Sequence, residues 1–284
     1  MTQQFYVSPE QMMKDRADFA RKGIARGRSV VVISCREGIA LVAENPSPSL
    51  RKTGEIYDRI AFAAVGKYNE FESLRQAGVR YADVRGYSYD REDVTARGLA
   101  SVYAQSLGAV FTAESKPFEV ELAVAEVAAE AGQDHLYRLT FDGSIADENG
   151  FIAMGGQAER VREVLDGRWD PSVGFPEAIR LAVEALNVDR GQPAEGGSGH
   201  SPVSGRNGRM DNNHREGGQS ASTEPADQSS RNGQPTAGVH LLAAGLLEIA
   251  VLDREPLSER GTRRAFRRLD DAEVEQILAG EAGS

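Results

Sequence analysis

SPEQMMKDRADFARKGIARGRSVVVIS, residues 8–34, is the stretch that decides the fold. Ser8 supplies an N-cap, Pro9 a first-turn proline and Gln11 the third-position partner of a capping box. Met13, Ala17, Ala20 and Ile24 recur at i, i+4, i+7 and i+11, so one apolar stripe runs along a helix. Gly27 suits its C-terminal stop, and Ser29–Ile33 follows at once as a strand of β-branched residues. Ser29–Ser34 and Ile39–Glu44 then read as a buried hairpin across the tight turn Arg36-Glu37-Gly38.

Outward from this start the pattern continues as α and β blocks. The prolines of Asn45-Pro46-Ser47-Pro48 exclude regular structure, and Ile56 with Ile60–Val65 marks a strand region closed by Gly66. Asn69 as N-cap with Glu72 at N3 predicts a helix through Ala77, stopped by Gly78. Asp90 to Asp93 predicts the start of a longer helix through Leu107, lying beside the first. Strands resume at Glu119–Val127, Tyr137–Phe141 and Phe151–Met154. Two helices follow, Ala158–Leu165 and one after Pro176 with Ile179, Ala182, Val183 and Leu186 on one face. Residues 190–237 hold Gly, Ser, Asn, Gln and Pro with almost no large apolar side chain, a composition that predicts disorder. Val239–Asp253 and Arg263–Leu269 read as strands and Asp271–Leu278 as an acidic helix. These last elements are too few to fold alone, so 190–237 interrupts one domain. The element order suits paired sheets with helix pairs on both outer faces.

Composition removes several classes of function. Across 284 residues, 33 Lys+Arg against 43 Asp+Glu give a net charge of −10, which argues against broad binding to nucleic acid or anionic membranes. No apolar run reaches the length of a membrane span, and no charged-then-apolar leader opens the chain. Cys35 is the single cysteine, so no internal disulfide forms; a bacterial or archaeal cytoplasm fits best. The four histidines, His135, His200, His214 and His240, lack metal-ligand spacing, and Gly155-Gly156 lacks a nucleotide-binding fingerprint, so no cofactor is expected.

Two positions could carry nucleophilic chemistry of the kind in which a chain-terminal amine serves as the base. Removal of Met1 would expose Thr2, but Gln3-Gln4-Phe5-Tyr6 after it is not a strand. Ser29 opens the first strand, yet needs cleavage after Arg28 and loss of a well-capped helix. An autoprocessed hydrolase using Ser29 is therefore the second reading. Lys52, between the proline loop and a strand, is either a solvated lysine or a point cation for a partner's carboxylate. The run Arg263-Arg264-Ala265-Phe266-Arg267-Arg268 suits an edge strand guarded by charge.

Long blocks of the chain resemble the proteasome α subunit of actinobacteria. They include Phe5–Gln11, Ala20–Gly27, Val42–Ser47, Tyr57–Ile60, Phe62–Phe71, Asp83–Arg91, Tyr137–Asp147 and Arg263–Arg268, and the resemblance covers nearly everything outside 190–237. It implies an α+β fold, the four-layer αββα sandwich of the N-terminal nucleophile hydrolases, with the N-terminal helix across the cleft that leads to the active site in β subunits. The resemblance also implies a non-catalytic subunit, in sevenfold rings of neighbouring α subunits that cap rings of catalytic β subunits. Residues 1–8 would form a gate segment for unfolded or tagged substrates, ahead of a single domain spanning 9–284. Its residues would be Thr2, Gln3, Gln4, Phe5, Tyr6, Val7, Ser8 and Pro9; the Tyr-Asp-Arg motif of archaeal and eukaryotic members is missing there. Lys52 aligns with the lysine of an inter-subunit pocket that receives the C-terminal tails of a hexameric ATPase, and Gly66 and Lys67 align with the pocket's other wall. The tagging implied is by a small ubiquitin-like modifier.

Overall fold

A computed structural model of the chain describes residues 8–187, 242–255 and 264–280. All of these belong to one compact unit. The stretch read as disordered, 190–237, and the gate residues Thr2–Val7 lie outside the described residues.

Helix α1 spans Pro9–Ile24, and the Ser8 side chain accepts the Gln11 N–H at 3.2 Å, as the sequence predicts. Gln11 does not complete a reciprocal capping box. Its side chain donates instead to Asp15 one turn on, at 2.7 Å. Ala20 and Ile24 are buried and Ala17 is partly so, which confirms most of the apolar stripe.

Among the described residues, ten strands form two antiparallel sheets. In the first, β1 (Val30–Cys35) pairs with β2 (Gly38–Glu44) through a hairpin, and β8 (Phe151–Met154), β9 (Leu247–Asp253) and β10 (Phe266–Arg268) extend it in the order β10-β9-β2-β1-β8. The second runs β3 (Thr53–Tyr57), β4 (Ile60–Gly66), β5 (Val120–Glu126), β6 (His135–Leu139) and β7 (Ile145–Glu148). Strands β1 and β2 are buried at every position, so apart from Ser34 and Glu44 near their ends their runs are apolar rather than alternating.

The side-chain period of two assigns each residue to a layer. Val30, Val32, Ile39 and Leu41 meet Ala61, Ala63, Val65, Ala123 and Ala125 between the sheets, where small alanines permit close approach. Val31, Ile33, Ala40 and Val42 face the helices α4 (Ala158–Asp166), α5 (Phe175–Asn187) and α6 (Asp271–Ala279). Phe62, Ala64, Leu122 and Val124 face α2 (Tyr68–Ser88) and α3 (Ala96–Ala113). The layers are thus helix, sheet, sheet, helix.

Four local readings change. Helix α2 does not stop at Gly78 but runs ten residues further, to Ser88, and its N-cap is Lys67 rather than Asn69. A Cβ on Gly78 would lie 1.8 Å from the Tyr103 hydroxyl, so this glycine lets α2 and α3 touch. The capping box at Asp90 and Asp93 exists but closes a single 3-10 turn, Arg91–Asp93; α3 starts later, after Thr95, which caps the Gly98 N–H. Strand β7 escaped the sequence reading because it is a four-residue edge strand, half exposed and acidic. Finally β9 begins only at Leu247, after a 3-10 turn at Ala244–Leu246; 239–241 lie outside the described residues. Cys35 is buried, and that burial pushes its thiol up to about 11, which leaves it unreactive near neutral pH.

Candidate functional site

The loop from Asn45 to Lys52 carries the chain from the first sheet to the second, and its own side chains hold its shape. Asn45 Oδ1 accepts the Ser47 N–H at 3.0 Å, Asn45 Nδ2 donates to the Leu50 carbonyl at 2.8 Å, and Ser47 Oγ accepts the Leu50 N–H at 3.1 Å. Both Asn and Ser favour such local bonds, which replace the regular structure that two prolines forbid. The loop delivers Lys52 to the start of β3. From there its Nζ donates to the Arg28 carbonyl at 2.6 Å.

Among the described residues Lys52 joins no ion pair. Lys67 approaches Glu70 at 3.8 Å, and Lys116 bridges Glu70 and Glu119 at 2.7 and 2.8 Å. Lys52 is half-buried, and burial pulls its ammonium down to about 8. The charges of Glu44 and Glu248 oppose that fall, and Arg28 adds to it. A half-buried cation satisfied by one neutral carbonyl keeps unused donors for an anion.

Arg28 immediately precedes Ser29, so the lysine and the second nucleophile candidate share one peptide unit. Ser29 is buried, its carbonyl accepts the Glu44 N–H at 3.4 Å, and a Cβ on Gly155 would lie 3.0 Å from its Cα. Its nitrogen is a peptide amide with no basic lone pair. Helix α1 ahead of it is not a loose leader, since Ala20 and Ile24 belong to the core between the sheets. The helix closes the open end of that layer. Arg21, Ile24 and Ala25 line a cavity of about 240 Å³ with Glu121 of the second sheet, Phe141 in the turn after β6 and Gly155 after β8 of the first.

Gly66 ends β4 with φ 118°, a conformation that suits glycine, and a Cβ there would lie 1.9 Å from the Glu119 carbonyl oxygen. A Cβ on Gly27 would in turn lie 3.3 Å from the Gly66 nitrogen. The segment Gly27–Arg28 is therefore flanked by Gly66 on one side and held by Lys52 through the Arg28 carbonyl. Lys67 follows at the start of α2, with its N–H on the Glu119 carbonyl at 2.9 Å and its ammonium turned to Glu70. Ser8 and Pro9 are exposed at the N-terminus of α1.

Against this geometry, the family model described as "Proteasome subunit" matches residues 24–191. The chain belongs to the proteasome subunit family. Its relatives named "Proteasome subunit alpha" place it in the alpha type. That of Pseudarthrobacter chlorophenolicus is 63% identical over 279 residues, covering 98% of this chain and 100% of the relative. That of an Arthrobacter species is 64% identical over 281 residues, 99% of this chain and 100% of the relative. The Kineococcus radiotolerans protein is 52% identical over 280 residues, 99% of each chain. The actinobacterial resemblance read from the sequence blocks is thus borne out, together with the α+β sandwich. No described helix of this alpha-type chain is long and apolar enough to cross a membrane.

Sequence reasoning missed the residue beneath the lysine. Glu248, on β9, has a buried carboxylate that accepts the Lys52 N–H at 2.9 Å and the Asn45 Nδ2 donor at 2.7 Å. The signal was present: Leu247-Glu248-Ile249-Ala250-Val251 puts one charge in an otherwise apolar strand, and a charge there must have partners.

Proposed function

We propose that this alpha-type subunit is non-catalytic, gates access to catalytic β subunits of a bacterial proteasome core, and docks a ring ATPase through Lys52. One observation carries the docking part. Lys52 keeps a half-buried ammonium bonded to a neutral carbonyl and, among the described residues, to no carboxylate. A terminal carboxylate from a partner's tail supplies a direct ion-pair partner, which Glu44 and Glu248 do not, and a lysine takes it as a point charge. Gly66, beside the same segment, lets the end of β4 close on the Glu119 carbonyl, where a side chain would intrude.

The burial of α1 in the core ahead of Ser29 supports the non-catalytic part. Thr2 to Pro9 form the gate segment, with Ser8 and Pro9 fixing the point from which it leaves α1. The partners are neighbouring α subunits in a sevenfold ring, the β subunit, a hexameric ATPase, and unfolded or tagged proteins, in the cytoplasm. Co-expression of this chain with its β partner tests the assignment. Native mass spectrometry is expected to give an assembly in which the alpha-type chain retains residues ahead of Ser29. A chain beginning at Ser29 overturns the non-catalytic reading in favour of an autoprocessed hydrolase.

A further inference from the structure

The buried carboxylate of Glu248 is the hub beneath the docking lysine. Its Oε2 accepts the Asn45 side chain at 2.7 Å and the Lys52 N–H at 2.9 Å. Its Oε1 accepts the Thr53 N–H at 3.1 Å, the Thr53 hydroxyl at 2.6 Å and Arg268 Nη1 at 2.9 Å. Two carboxylate oxygens offer about four lone-pair sites, so five donors saturate the group. Burial alone pushes the Glu248 carboxyl up, but the bonds from Thr53, Lys52 and Asn45 outweigh it and hold it below its ordinary value. Arg268 also reaches the Thr53 carbonyl at 2.6 Å and its hydroxyl at 3.1 Å, bracing the hub from β10.

A carboxylate this deep is costly unless it is paired and its lone pairs are satisfied by hydrogen bonds. What these bonds order is the backbone on both sides of the Lys52 side chain. The same charge also acts on the ammonium, as do Glu44 at the end of β2 and Arg28 ahead of β1, while Arg268 on β10 pairs with the carboxylate itself. We infer that Glu248 is a positioning residue of the docking site, setting where the Lys52 side chain stands by holding the Lys52 and Thr53 amides. This rests on Lys52 being the docking cation, and it places the control of that cation on strands β9 and β10.

The test titrates the Lys52 amine in the purified full-length chain by acylation with an amine-reactive ester across a pH series, read by peptide mass. Wild type is expected to show a labelling midpoint near pH 8. Glu248→Gln keeps the shape of the side chain and removes its charge, and is expected to move the midpoint down. Arg268→Gln removes a cation instead and is expected to move it up, which keeps the inference testable if Glu248→Gln does not fold. An unchanged midpoint in a folded variant assigns Glu248 to fold stability alone and overturns the positioning role. Binding of a synthetic tail peptide to the wild-type assembly is read separately. Its absence overturns the docking reading, whereas the titration needs no peptide and reports on Glu248 by itself.

Discussion

Replacing Lys52 with Met keeps most of the stem and removes the ammonium, so the loss in binding reports the charge. Among the described residues of the unliganded chain that ammonium holds only the Arg28 carbonyl, at 2.6 Å. A docked carboxylate adds a charge-assisted hydrogen bond in a partly desolvated place, a contact worth about 1.5–3 kcal/mol. At about 1.4 kcal/mol per tenfold, Lys52→Met is expected to weaken tail binding about 10- to 150-fold. Fluorescence anisotropy with a labelled tail peptide and the assembled α–β core measures this. A peptide with an amidated C-terminus closes a double-mutant cycle: it binds wild type weakly, and Lys52→Met costs it little more. Protonation supplies a second axis. The ammonium binds carboxylate and the neutral amine does not, so affinity is full below pH about 8 and declines as pH rises beyond it. Refutation would be an equal loss for the free and amidated peptides in Lys52→Met, or wild-type affinity that does not fall between pH 7 and pH 9.

Other consequences follow from the same structure. Deleting residues 2–8, which ends the chain at the start of α1, is expected to speed hydrolysis of short peptides by the α–β assembly several-fold; an unchanged rate removes the gate assignment. Ser29→Ala is expected to leave peptide hydrolysis by that assembly unchanged, and an intact mass showing cleavage after Arg28 in the wild type would contradict the reasoning. Gly78→Ala places a methyl 1.8 Å from the Tyr103 hydroxyl, where α2 and α3 touch. Overpacking of this kind costs about 1–3 kcal/mol, so thermal unfolding is expected several degrees lower, and an unshifted transition would mean the helices part freely.

Much of the fold was legible because the decisive signals are local. Ser8 and Gln11 are three residues apart, and both ends of the β1–β2 hairpin lie within one short window. The α2 boundary was not legible, because a glycine reads as a stop unless its neighbour is known. Tyr103, whose hydroxyl fills the space beside Gly78, lies on another helix. The same limit applied to the capping box at Asp90 and Asp93, since the local bond pattern is identical for one turn of 3-10 helix and for a long α-helix. The site divided likewise. Lys52 stood out by its place between a proline loop and a strand, but Glu248, which accepts its N–H, lies 196 residues away in sequence. Only pairing of β9 with β2 brings that carboxylate under the loop.

The split between stimulated and basal activity in a single preparation tests the central claim most directly. With wild-type β subunits and the ATPase present, a core carrying Lys52→Met is expected to lose ATPase-stimulated degradation of a folded, tagged protein. The same core is expected to cleave a short fluorogenic peptide at the wild-type rate, because among the described residues the Lys52 ammonium makes one hydrogen bond, to a backbone carbonyl ahead of β1, and no ion pair. Retention of stimulated degradation, or its loss in step with peptide cleavage, would contradict the account of Lys52 as a docking cation.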